Sequence, residues 1–425
     1  MGLKITFKSN RDLANATLHP PHKPVRFALE IRPGPIPMQL RPLTSIRFVF
    51  ALLVVLGHGL DFLKHTGVTR NWPAAILTVI SHGYLGVNFF FVLSGFILAY
   101  SYQTRLRQRN DCFEFWWTRF ARIYPAYLFA FLVFLPTGIF SAWRLGQPRL
   151  ALVTAAFQLS LTQSWVPAAA LEWNGPAWSL SVEAFFYALF PILFLTTHTY
   201  SKRKLVLFLL SAYALSQIGA LIGWCFGTRF ATLINGILGF STMSSEGRTL
   251  FSMYFPLFRL PEFMFGMALG ILFTKVPPLP TIWRHIALLV GCAGFAIAFV
   301  VISPHVRPEM ITNGLMMPFL GLVLFGLAYS KSRLFNHPSF VLLGDASYSL
   351  YLLHIPVWSW MQRIDSHLTH VQTSVPITFF IIYLTSAICL SLFSLKVIEI
   401  PSRQFIRRKF NTHRIDAISP QELHR

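Results

Sequence analysis

The sequence predicts an all-α polytopic membrane protein: a bundle of about ten transmembrane helices, with one further helix over 151–165 re-entrant or buried among them. Three observations predict it. The 425-residue chain is 54% hydrophobic and 12% charged, with a mean hydropathy of +0.55, well outside the soluble globular range. Stretches of about 20 apolar residues, the length that crosses a bilayer as a helix, recur along nearly all of it. The formal net charge of +21 falls in short loops and tails beside those stretches, where Lys and Arg set topology and meet anionic headgroups. Charge placed this way argues for membrane lipids as partners and against nucleic acid. The apolar segments follow one another without a break, so 39–403 reads as one membrane domain.

The first 38 residues are basic and Pro-rich (HPPHKP, RPGPIP) and lack a signal peptide's apolar core. They are expected to form a disordered cytosolic tail, with 404–425 a second basic cytosolic tail. Spans are predicted near 43–63, 84–102, 121–141, 177–197, 204–226, 252–274, 284–303, 311–330, 341–362 and 376–398. The segment 151–165 is shorter and more polar. If it does not cross, and the chain starts inside, the inner regions hold 26 Lys and Arg against 8 outside. If it crosses, every later loop inverts and Lys202, Arg203 and Lys204 face outward. The positive-inside rule therefore leaves it buried or re-entrant, with both termini cytosolic. Cys112, Cys225, Cys292 and Cys389 have neither metal nor redox spacing and read as packing thiols, so no metal is expected.

The candidate site begins in RPLTSIRFVFALLVVLGHGLDFL. Arg47 and His58 are eleven residues apart, close to three helical turns, and so share a face about 16 Å apart along the axis. Asp61 follows His58 at i+3. Ionisable groups within a span are costly and normally face a bundle interior or a wet cavity. A lone Arg can snorkel and a lone His can pack; their common face points to a site. In the next span, GYLGVNFFFVLSGFILAY, Gly86, Ser94 and Gly95 permit close helix contact. Arg119 and Arg122 in WWTRFARIYPAYL are i,i+3 neighbours, either ordinary interfacial anchors or a guanidinium fork that holds phosphates bidentately. Glu183, in EWNGPAWSLSVEAFFYALFP, sits about two turns into a helix entering from the outer side and needs a partner or a proton. In YFPLFRLPEFMFGMALG, Arg259 and Glu262 at i,i+3 are site candidates or neutralise each other. In LGDASYSLYLLHIPV, Ser347, Tyr351 and His354 share one face. By topology His58, Asp61, Glu183, Arg259, Glu262 and His354 fall in the outer half of the membrane, and Arg47, Arg119 and Arg122 in the inner half. The inner group suits an anionic, phosphate-bearing cytosolic molecule. The outer suits proton transfer on an outward-facing acceptor, with a His as base and a carboxylate to orient its ring.

Together the stretches IRFVFALLVVLGH, GVNFFFVLSGF, RFARIYPAY, WNGPAWSLSVE, LPEFMFGMALG, SYSLYLLH and EIPSR, in this order, resemble the membrane-bound acyltransferase-3 family of O-acyltransferases of polysaccharides and related acceptors. The resemblance runs from about Leu40 to Arg403. It implies an acyl-CoA donor, acetyl-CoA being the simplest, reached from the cytosol, with no permanently bound cofactor. It also implies a carbohydrate or lipid-linked glycan acceptor, a bacterial inner (plasma) membrane, and roles for Arg47, His58, Arg119, Arg122 and Glu183. Some members carry a C-terminal esterase-like domain. Only about 25 residues follow the last span here, so the chain is expected to finish the transfer itself or pass the acyl group to a separate extracytoplasmic protein.

The mechanism expected is direct transfer, His58 as general base, Glu183 or Asp61 holding the imidazole, and Arg47, Arg119 and Arg122 holding the donor. An acyl-His or acyl-Ser intermediate through Ser94, Ser179 or Ser181 is the alternative route. The rival classes are a transporter or flippase for a glycan or lipid using the same buried charges, and a non-catalytic scaffold. No repeated motif relates the two halves, which disfavours a carrier built on inverted repeats.

Overall fold

In a computed structural model of the chain, the described residues are 40–106, 109–240, 246–298, 305–369, 371–406 and 408; the expected tails 1–38 and 404–425 lie almost wholly outside them. Every regular element described is helical. In order these are α1 (Arg41–His65), α2 (Ala74–Ser81), α3 (Leu85–Tyr102), α4 (Arg109–Arg144), α5 (Pro148–Leu159), α6 (Trp178–Thr197), α7 (Lys202–Ile237), α8 (Glu246–Tyr254) and α9 (Pro256–Lys275). They continue as α10 (Thr281–Ile297), α11 (Pro308–Met310), α12 (Met317–Ala328), α13 (Arg333–Asn336), α14 (Pro338–Ile364), α15 (Val371–Ser374) and α16 (Pro376–Ser394). Among the described residues, nine helical segments are long and apolar enough to span a bilayer, and α10 is a shorter apolar helix. With α10 they account for the ten expected spans, and the chain is an integral membrane protein; residues 299–303 of the expected 284–303 span lie outside the description.

Local sequence explains where the helices start and stop. Pro42, Pro148, Pro256, Pro338 and Pro376 lie in first turns, where a missing N–H costs nothing. Phe255, held extended before Pro256 (φ −68°, ψ 127°), separates α8 from α9. Ser201 caps α7 by accepting from the Lys204 N–H at 3.4 Å. Beyond α1, Gly67 adopts φ +76° and its N–H closes on Lys64 O at 3.0 Å, a left-handed stop that suits glycine.

The core is built on two close helix crossings. α3 packs along α9 and α1 along α14. A Cβ on Gly266 would stand 1.9 Å from Val92 O, and one on Gly95 2.1 Å from Phe263 O, so both backbones meet only because neither position carries a side chain. Large apolar side chains on α7, α10 and α16 face outward, among them Leu210, Leu289 and Ile381, as helices bordering lipid require.

Two departures from regularity position the site. The first is 148–177. At 12 residues α5 rises only about 18 Å, and the chain then turns back through Leu161 (φ +56°). It reaches Ala168, whose N–H donates to Asn235 Oδ1 near the end of α7 (3.2 Å), and re-enters to begin α6 inside the bundle. Buried polar groups satisfy this irregular backbone: Gln158 Nε2 donates to Glu172 O (2.7 Å), Gln163 Nε2 to Ala177 O (2.9 Å) and Ser164 Oγ to Trp178 O (2.7 Å), as non-helical backbone at membrane depth demands. The expected re-entrant segment is therefore present. The second is the break at Ile311–Leu315 between α11 and α12, where Gly314 has φ +96°. Its freed Thr312 carbonyl accepts from Asn88 Nδ2 (2.7 Å) and from Arg259, and Asn313 Nδ2 donates to Ser252 O (2.9 Å).

Candidate functional site

Two cavities lie end to end in the bundle. The first, about 360 Å³, is lined by Arg47 from α1, Arg119 and Arg122 from α4, Glu183 and Tyr187 from α6, Asp345 and Ser347 from α14, and Arg403. A stripe on α3 at helical spacing (Val87, Phe91, Ser94, Leu98, Ser101) forms its long wall. The i,i+3 spacing of Arg119 and Arg122 does put both into this space. The Arg119 guanidinium lies among the rings of Tyr102 (5.7 Å), Phe115 (5.9 Å) and Tyr187 (5.9 Å), and its buried Nε has no hydrogen-bond partner. Among the described residues Arg47, Arg119 and Arg122 carry no ion pair. Arg403 is different: its NH2 lies 3.1 Å from Glu399 Oε2, and the buried Glu399 also accepts from Ser349 Oγ at 2.6 Å. This arginine cavity holds guanidinium groups in a low-dielectric wall, the arrangement that binds phosphate or carboxylate.

The second cavity, about 510 Å³, is lined by Val54 and His58 of α1, Tyr84, Asn88 of α3, Trp178, Tyr254, Arg259 of α9, Thr312 and Tyr351. Tyr84 stands just before α3. His58 is paired with His354. The rings lie 5.1 Å apart by centroid, with His354 Nε2 3.3 Å from His58 Nδ1. The partners assign the tautomers. His354 Nδ1 is 2.7 Å from Tyr351 O, a pure acceptor, so it carries the proton and leaves Nε2 as an acceptor. His58 Nδ1, between that nitrogen and Val54 O (3.0 Å), is then the donor. The remaining nitrogen, His58 Nε2, holds its lone pair free in neutral imidazole.

Several expected residues sit elsewhere. Asp61 does not hold His58: it is an exposed carboxylate paired to Lys64 at 3.5 Å, beyond the cavity near the end of α1. Glu183 does not hold it either. It lines the arginine cavity, accepting from Ser94 Oγ (3.2 Å) and Tyr187. Its expected depth is corrected by the start of α6 within the bundle, which carries Glu183 toward Arg47 rather than His58. Arg259 and Glu262 neutralise each other in a buried network. Arg259 NH1 lies 3.2 Å from Glu262 Oε1, its NH2 donates to Asn88 Oδ1 (3.3 Å), and Asn88 Nδ2 donates to Glu262 Oε1 (3.3 Å). Arg259 also lines the second cavity. Ser347, Tyr351 and His354 do share a face, but it is spread over both cavities: Ser347 lines the first, Tyr351 both, and His354 supports His58. Ser94 donates to Glu183, Ser179 to Pro176 O and Tyr351, and Ser181 accepts from the Ser164 N–H; none of the three bonds to a histidine among the described residues.

Two residues were missed. Asn88 was legible as a lone amide in an otherwise apolar stretch, GVNFFF. Arg403 stood in EIPSR, but no helical period links it to the first arginines.

The cavities share two lining residues, Val87 and Tyr351. Each helix passes from one cavity to the other at this level: α1 between Arg47 and Val54, α3 at Val87, α6 between Trp178 and Ser179, and α14 at Tyr351. The two polar groups are thus the two ends of one interrupted passage.

A family model described as an acyltransferase domain matches residues 43–396. The O-acetyltransferase OatA of Staphylococcus aureus (strain NCTC 8325 / PS 47) is 27% identical over 352 residues, 76% of this chain and 53% of that protein. The acyltransferase MdmB of Streptomyces mycarofaciens is 27% identical over 351 residues, 77% of this chain and 81% of that protein. This chain spans about half the length of the first of these relatives. No solved structure matches it.

Proposed function

The chain belongs to the acyltransferase family whose model it matches, and from that premise we propose that it moves an acyl group, in the first instance acetyl, from acyl-CoA to a hydroxyl of a carbohydrate or lipid-linked glycan. The donor's phosphates lie in the arginine cavity on Arg47, Arg119 and Arg122, with Arg403 a fourth guanidinium held by Glu399. The acceptor lies in the histidine cavity. His58 Nε2 takes the hydroxyl proton as the oxygen attacks the thioester carbonyl, the C–O bond forms, the C–S bond breaks, and the proton passes to the departing thiolate. His354, with Tyr351 O behind it, keeps His58 in the tautomer this step needs, as the orienting member of a triad does. The arginine cavity faces the cytosol of a bacterial cell and the histidine cavity the far side of its inner membrane.

One observation carries this reading: an imidazole whose Nε2 has no partner among the described residues lines a cavity that meets, at two residues, a second cavity holding three arginines without ion pairs among those residues. The purified full chain in lipid vesicles, given acetyl-CoA labelled in the acetyl group and methyl β-glucoside, is expected to release CoA thiol and label the sugar. Label that stays on CoA while the sugar or donor crosses the bilayer would replace this reading with transport.

A further inference from the structure

We infer that Val87 and Tyr351 form an aperture that selects the acyl group by cross-section, admitting unbranched chains and rejecting those branched beside the carbonyl. The inference rests on the donor and acceptor assignment above and adds to it which donors can be used.

The acyl group is the terminal part of the donor. With phosphates on Arg47 and the base on His58, about 16 Å further along α1, it must travel head-first past the level where the cavities meet. That level, where the two cavities share only Val87 and Tyr351 as lining residues, is held from both sides. Val87 is 6% exposed on α3, whose backbone is locked against α9 at Gly95 and Gly266. Tyr351 faces the same two cavities and is pinned at its far end: its hydroxyl donates to Pro176 O (2.8 Å) and accepts from Ser179 Oγ (2.9 Å). Phe90 lies edge-on to its ring at 6.2 Å, and Phe91 edge-on to Trp178 at 5.9 Å. The rim is therefore apolar and formed by side chains with little freedom to move aside. Packed interiors do not yield smoothly to added volume. A linear chain presents the same cross-section whatever its length, so a rigid ring discriminates against branching rather than against carbon count. Length is then limited separately, by the room in the histidine cavity.

Butyryl-CoA and isobutyryl-CoA are isomers and isolate this property. The full chain in lipid vesicles with methyl β-glucoside is expected to turn over butyryl-CoA at least about tenfold faster than isobutyryl-CoA, the scale of a methyl group's misfit in an apolar site. Val87→Ala should raise the isobutyryl-to-butyryl ratio by about tenfold. Tyr351→Phe keeps the ring but loses both anchors, and should raise the ratio by a smaller factor. Equal turnover of the two isomers by the unaltered protein, or an unchanged ratio in a folded Val87→Ala protein, would overturn the aperture while leaving acyl transfer standing. Thiol release from none of acetyl-, butyryl- and isobutyryl-CoA would instead overturn the assignment of function, and the aperture with it.

Discussion

Arg259 and Arg119 are both guanidinium groups beside aromatic rings inside the bundle, and they differ in their polar partners. Arg259 is 2% exposed and tied to a carboxylate, an amide and the carbonyl of a broken helix. Arg119 is wrapped by three aromatic rings, with no carboxylate partner among the described residues; the buried Nε has no hydrogen-bond partner in either arginine among the described residues. The charge of Arg259 is committed to structure, holding Ile311–Leu315 in place; under the proposed function the charge of Arg119 is held for the donor. Partner inventory, more than burial, separates the two uses.

The proposed division of labour between the two cavities can be broken at either end. The largest effect is expected at the base. His58→Ala should lower turnover about 10²–10⁴-fold, the usual contribution of a general base, with acyl-CoA affinity measured by equilibrium binding unchanged. Loss of donor binding in that variant would mean the two cavities do not act separately. His354→Ala should follow, lowering kcat about 10–100-fold, the scale of removing a group that orients a functional imidazole. KM for acyl-CoA should stay in place, because His58 keeps Val54 O. At the other end, Arg119→Ala should raise KM for acyl-CoA about tenfold or more, from the loss of a hydrogen bond to a charged group worth roughly 1.5–3 kcal/mol, with kcat nearly preserved. A kcat effect without a KM effect would move Arg119 out of the donor site. The smallest effect is expected at Asp61→Asn, within about twofold on both constants, since an exposed pair such as Asp61–Lys64 contributes about 0–1 kcal/mol. A drop comparable to that of His58→Ala would restore Asp61 as its partner.

Periodicity was enough to place Arg47 and His58 on one face of α1, to bring Arg119 and Arg122 together, and to group Ser347, Tyr351 and His354, because each relation lies within one helix. Asp61 fails by the same arithmetic taken one step further. At i+3 it is about 60° off the face of His58 and a turn nearer the helix end, where α1 has left the cavity behind. Glu183 could not be placed from its distance to the start of α6, because that start is set by where 163–177 turns inside the bundle. For Arg259 the i,i+3 carboxylate Glu262 was legible and left two readings open; its other partners, Asn88 and Thr312, lie 171 and 53 residues away in sequence. That His354 supports His58, 296 residues earlier, was hidden for the same reason.

The segment 148–177 reaches the level of Tyr351 without crossing the bundle, and supplies Leu171, Gly175 and Pro176 to the histidine cavity and nothing to the arginine cavity. Under the proposed assignment, changes of length or composition there reshape the acceptor cavity while the arginine cavity, lined from α1, α3, α4, α6 and α14, keeps its register. On that assignment, a change of recipient needs new chemistry only in 148–177, and the supply line stays as it is.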